Sequence, residues 1–219
     1  NTYLNYTLAK DLDFKVNGGV NTSQSRRDFY MPRGTTLGNL EGGYAYLGEG
    51  SSFNYLTEYT LNYKRTINKK HRVNAVAGYT WQQWVRKAFN INVLNFPNDN
   101  MLYYDLSSGS SISNPRTTTS QWGLASFLGR LNYSFDNRYL ITFTAREDGS
   151  TRLAEGNKWN FFPSIALGWN LSNEQFMKDA EAITSLKLRG SYGLSGSQAV
   201  SVGATKSRLT STGSVAGES

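Results

Sequence analysis

Residues 125–146, ASFLGRLNYSFDNRYLITFTAR, decide the fold. Ala125, Phe127, Gly129, Leu131, Tyr133 and Phe135 fall on one side of an extended chain. Ser126, Leu128, Arg130, Asn132 and Ser134 fall on the other. After the polar turn Asp136-Asn137-Arg138 the pattern resumes, with Tyr139, Ile141, Phe143 and Ala145 opposed to Leu140, Thr142, Thr144 and Arg146. Period-two alternation across a tight turn specifies a β-hairpin with one greasy and one wet face.

Working outward, the same alternation appears at Leu12–Asn21, Phe53–Lys64, Arg72–Trp81, Phe161–Trp169 and Leu186–Tyr192, and more weakly at Leu4–Leu8. About eight strands of roughly ten residues are expected, the length of a tilted bilayer-crossing strand. The connections sort by length. Ala9–Asp11, Ile67–His71 and Asp136–Arg138 are short, whereas Thr22–Ser51, Ile91–Ser120 and Glu147–Lys158 are long. Ser172–Ser185 is intermediate, and Ser172–Met177 has the composition to begin a short helix. If the short turns lie on one side, every long loop lies on the other, as in an outer-membrane barrel with short periplasmic turns and long extracellular loops.

Aromatics follow the same division. Tyr63, Tyr133, Phe135, Tyr139 and Trp169 lie toward the short turns, and Tyr79–Trp81, Trp159 and Phe161 toward the long loops. Two interfacial belts are the expectation. Glu58, Lys64, Arg130, Arg146, Lys187 and Arg189 then project to the wet side, because a basic residue facing lipid near the midplane costs about 2–4 kcal/mol.

Composition agrees. The 219 residues are 38% hydrophobic and 14% aromatic, with 21 Gly and 4 Pro. A strand apolar on one face only needs no more than that. No run of 18 apolar residues exists, which excludes a transmembrane helix. No signal peptide opens the chain; Asn1–Leu8 already reads as strand and Thr205–Ser219 is rich in Ser, Gly and Thr. Both ends are therefore expected to be cuts within a longer protein. Formal net charge is +7, with basic residues scattered rather than gathered on one element, which speaks against nucleic-acid binding. The absence of Cys removes disulfides, thiolate metal sites and Cys nucleophiles.

Catalysis finds little support. The one His, His71, sits in the turn Asn68–His71 and reads as a surface residue. Glu147 and Asp148 are adjacent carboxylates read as an Asp-Gly turn. Asn98-Asp99-Asn100 offers oxygen ligands without the spacing of a calcium loop and reads as turn chemistry. No metal or cofactor site is expected. Tyr44, Tyr46, Tyr103, Tyr104 and Trp122, in or beside the long loops, are the candidates for stacking on a ligand, for packing the loops or for meeting a partner.

Phe127–Leu140, Arg146–Ser150, Trp159–Trp169 and Leu186–Gly193 followed by Ser195-Gly196-Ser197-Gln198 resemble, in that order and spacing, blocks of the SusC/RagA-type TonB-linked outer-membrane proteins of Bacteroidetes. Phe96–Asn100 is similar to a loop of that family. Glu147 departs from it, since Ala usually precedes the Asp-Gly. The resemblance implies that residues 1–219 are part of one large transmembrane β-barrel domain. The plug and the remaining strands would lie outside it. It further implies TonB-energised import of oligosaccharide or peptide, with a SusD-like surface lipoprotein as partner and TonB engaged through the N-terminal region. Glu58, Arg130, Arg146, Lys187 and Arg189 would face the lumen or plug, and no enzymatic activity, cofactor or nucleic-acid partner is implied. A soluble or adhesin-like β-sandwich that binds glycans is the rival; it requires the Phe127–Phe135 stripe to pack against a second sheet.

Overall fold

The computed structural model describes residues 1–177, 183–197, 200–201 and 204. It is one antiparallel sheet: β1 (Thr2–Ala9), β2 (Leu12–Met31), β3 (Tyr44–Ile67), β4 (His71–Leu94), β6 (Arg116–Phe135), β7 (Tyr139–Ser150), β8 (Trp159–Asn170) and β9 (Lys187–Gly193), in chain order across the sheet. The two-residue β5 (Ser111–Ile112) pairs with the tip of β4. A five-residue helix, α1 (Thr36–Leu40), caps the β2–β3 connection; the Thr35 hydroxyl accepts from the Gly38 N–H at 3.1 Å.

The expected strands are present, but several are far longer than expected. β3 and β4 each run 24 residues, β2 and β6 20. At roughly 3.4 Å per residue, 24 residues reach about 80 Å, twice what a tilted bilayer crossing needs. The long connections shrink accordingly, to 32–43, 95–115 and 151–158. Glu147 and Asp148, read as a turn, lie in β7 opposite Phe161 and Asn160. His71, read as part of a turn, opens β4, and its Nδ1 lies 2.8 Å from the Tyr133 hydroxyl. Ser172–Met177 forms two 3₁₀ turns, Leu171–Asn173 and Gln175–Met177. The Ser/Gly/Thr-rich tail and Gln198 lie outside the described residues.

Registry explains why one pattern holds over such lengths. The β2–β3, β3–β4, β4–β6, β6–β7 and β7–β8 ladders run without a shift; the one irregularity lies between Thr7 and Ala9 in β1. Directly paired residues share a face, so each side chain's side follows from its parity. Two short turns help set the register. Asn68 and Lys69 (φ 49° and 57°) and Asp136 and Asn137 (φ 50° and 55°) are left-handed pairs closed by Lys70 N–H to Ile67 O (3.2 Å) and Arg138 N–H to Phe135 O (2.9 Å). These are type I′ turns, whose twist matches that of the strands.

Among the described residues no second sheet covers either face. The outer, apolar face is bare: Phe127 is 51% exposed, Leu131 45%, Phe143 49% and Leu167 55%. The stripe Phe127–Phe135 therefore does not pack inside a soluble sandwich. An exposed apolar band of this extent is incompatible with water and suits lipid. Aromatic ladders border it. Phe135, Tyr139 and Trp169 stack at the short-turn end (6.4 and 6.3 Å), and Tyr59, Tyr79, Phe127 and Trp159 at the other (6.3, 5.0 and 6.0 Å).

Candidate functional site

The inner face carries the polar chemistry. Glu58 accepts from Asn17 Nδ2 at 2.8 Å. Arg146 Nε donates to both Asp148 carboxylate oxygens (2.7 and 2.9 Å), and its Nη2 donates to the fully buried Ser126 hydroxyl (3.1 Å). Arg130 Nε reaches Thr144 Oγ1 at 3.4 Å. Arg189 and Lys187 of β9 pair with Gly168 and Asn170. All five candidates Glu58, Arg130, Arg146, Lys187 and Arg189 thus share this face, spread over four strands rather than gathered at a point. Near the short turns the face holds a groove of about 700 Å³ whose lining includes Lys64, Arg72, Asn74, Asn132 and Thr142.

At that rim the Glu174 carboxylate, 7% exposed, accepts from Trp169 Nε1 (2.9 Å) and Arg138 Nη1 (3.1 Å). The Trp169 indole first, then the Tyr139 phenol and Arg138, hold it below the usual carboxylate range. This ties the 171–177 turn to the Asp136–Arg138 hairpin.

Toward the long loops the strands continue beyond the apolar band. On their inner face Phe29 stacks on Tyr44 (5.7 Å) and Tyr46 (5.2 Å). Lower down, Trp84 stacks on Trp122 (6.3 Å), with the Arg152 guanidinium 4.1 Å over the Trp122 ring. Between these aromatic pairs the wall is built of small residues. Gly48 pairs with Arg27 and Asn90, Asn90 with Arg116, and Arg86 with Ser52 and Ser120. The Tyr46 ring lies over Gly48, where a Cβ would sit 2.6 Å from the Tyr46 hydroxyl and would push that ring aside.

Tyr103 and Tyr104 lie elsewhere. Their rings contact each other (4.5 Å). Tyr103 packs against the small cluster Ala45, Val93 and Phe96, formed where the segment after β4 folds back over the outer face of the strand tips. That fold is pinned by the Tyr30 hydroxyl donating to Asp99 Oδ1 at 2.7 Å. Burial, then that bond, push the Tyr30 phenol up to about 12, and the same bond foremost holds Asp99 below the ordinary range. The Asn98 side chain accepts from the Asn100 N–H (3.0 Å). The five aromatic candidates are therefore split: Tyr44, Tyr46 and Trp122 on the inner wall, Tyr103 and Tyr104 on the outer flank. Phe29, Trp84, Arg27, Arg86 and Arg116 escaped the sequence reading. Parity would have found them had the strands been followed through their polar ends.

The sequence matches the model of the family "TonB dependent receptor-like, beta-barrel" over residues 1–208. It is 31% identical, over its whole length, to TonB-dependent receptor P3 of Formosa agariphila, of which it covers 22%. Over 75 residues, 34% of the chain and 8% of the relative, it is 53% identical to TonB-dependent receptor SusC of Bacteroides thetaiotaomicron. A solved structure of the RagAB peptide transporter superposes with a TM-score of 0.79 at 25% identity, covering 87% of this chain and 21% of that one. The chain thus spans about a fifth of the length of TonB-dependent receptor P3 and of the matched RagAB chain. With its bare apolar face and polar inner face, it belongs to the TonB-dependent receptor β-barrel family, as a SusC/RagA-type segment of an outer-membrane barrel wall.

Proposed function

We propose that the protein containing this segment is a TonB-energised outer-membrane transporter that imports oligosaccharide or peptide together with a SusD-like surface lipoprotein. The observation that carries the reading is the division of one sheet into a lipid-compatible outer face and a polar inner face held in register over the whole wall. In this reading the segment binds and guides but does no chemistry. Its outer face anchors in lipid. Glu58, Arg130, Arg146, Lys187 and Arg189 line the lumen against the plug, and Tyr44, Tyr46 and Trp122 meet cargo above the membrane. Tyr103 and Tyr104, on the outer flank, are better placed to meet the lipoprotein or brace the loop. The peptide transported by RagAB keeps peptide cargo open beside glycans.

The test is genetic. Deletion of the gene, and separately of the TonB energy-coupling gene, is expected to abolish uptake of the same fluorescent oligosaccharide or peptide from a mixed panel. A tagged copy is expected to co-purify with a lipoprotein. Uptake of every panel member at wild-type rate in both strains refutes transport.

A further inference from the structure

We propose that the inner face of the strand extension, above the apolar band, is a binding surface for an anionic oligosaccharide. Charge is segregated between the faces. By parity, the strands carry ten basic and three acidic residues on the inner face, the acids being Asp13, Glu58 and Asp148, but three of each sign on the outer face. The inner surplus equals the chain's entire formal charge of +7. A wall of one sign concentrates ligands of the other.

Within the extension the contrast is sharpest on β2. Arg26, on the outer side, lies 2.7 Å from Asp28 and 3.8 Å from Glu49. Its neighbour Arg27 points inward, and among the described residues no carboxylate lies within ion-pair distance of it, nor of Arg86 or Arg116. All three are exposed. Arg27 and Arg116 share one cross-strand row, on strands three apart, and Arg86 lies four residue pairs below on β4, so the three arginines border a floor of Gly50 and Ala88, with the Arg27 guanidinium 5.5 Å over the Phe29 ring at its upper edge. A guanidinium fork matches the planar oxygens of carboxylate or sulfate.

The aromatics select the polymer class. Tyr44 and Tyr46 lie above the floor and Trp84 and Trp122 below it; Tyr46 and Trp84 are separated by eight residues, roughly 27 Å, along β4. Flat rings at both ends suit the faces of sugar rings.

The inference rests on the transport reading only for which side of the membrane the face meets. If binding holds while uptake fails, the barrel is a receptor surface and not a conduit. The experiment uses the full-length protein in detergent, titrated calorimetrically with two matched pairs: oligogalacturonate against its methyl ester, and dextran sulfate against dextran. At least one anionic member is expected to bind, more weakly as salt rises, while its neutral partner does not. The triple variant Arg27→Gln/Arg86→Gln/Arg116→Gln is expected to lose about tenfold in affinity, and Arg26→Gln to lose none. The proposal is overturned if neither anionic polymer binds better than its neutral partner, or if the triple variant binds as wild type. It is equally overturned if oligoglutamate binds and both anionic saccharides fail.

Discussion

Leu131 and Arg130 are one residue apart and meet opposite solvents. Leu131 pairs with Ala75 and Phe143, and Phe143 with Ile165, all on the bare outer face. Arg130 turns inward to Thr144. Leu131→Arg therefore drives a cation into lipid close to mid-strand and is expected to cost about 2–4 kcal/mol. Asn132→Arg, one position on and facing inward, is expected to cost little. Urea titration of the full-length barrel in bilayers measures both, and equal losses would remove lipid from the outer face. This much was legible in the sequence, because residues 125–146 alternate cleanly. Glu147 was not. Arg146, Glu147 and Asp148 form an unbroken charged run that looks like loop. Yet Glu147 occupies an outer position between Phe127 and Phe161, eight residues up β7 from the rim residue Tyr139. That height is close to the far interface, where a charge costs only about 0–1 kcal/mol; the strand absorbs the carboxylate without breaking.

At the scale of elements, short turns and long strands divide the work. The β6–β7 turn places Asp136 and Asn137 in the left-handed region, which non-glycine residues enter at a cost of roughly 1–2 kcal/mol and which Asn tolerates best. The Asn137 carbonyl also accepts from the side chains of Asn170 (2.5 Å) and Asn173 (3.0 Å), binding the next turn to this one. Asn137→Val is expected to destabilise by about 1–2 kcal/mol, and Asn137→Gly to hold or gain, in the same urea titration. A valine as stable as glycine would rule out the I′ geometry. The other ends of the strands were misjudged for a physical reason. Alternation marks a strand only while its two faces meet different solvents. Above the membrane both faces of Thr22–Asp28 and Thr117–Gln121 are wet, so the pattern fades although the backbone ladder continues. For the same reason the sequence grouped Tyr44 and Tyr46 with Tyr103 and Tyr104 as loop aromatics. It had no means to count parity through a strand it had already ended.

Over the whole molecule the sheet is a wall without closure. β1 pairs only with β2, and β9 only with β8, so two rows of backbone donors and acceptors have no partner among the described residues. Among the described residues the buried apolar side chains are Ala45, Val93, Phe96 and Leu124. Unpaired edges recruit other strands, and in hydrocarbon each unsatisfied backbone group costs several kcal/mol. The 219-residue chain expressed alone is therefore expected to be insoluble without detergent. In detergent it should form mixed oligomers through β1 and β9, visible as a broad mass distribution in light scattering after gel filtration. Capping either edge with the strand that adjoins it in the full-length barrel is expected to narrow that distribution. A monodisperse monomer in plain buffer would require the outer face to be covered by some other part of the chain, and would remove the division between greasy and wet sides from which membrane placement, lumen charge and cargo selection all descend.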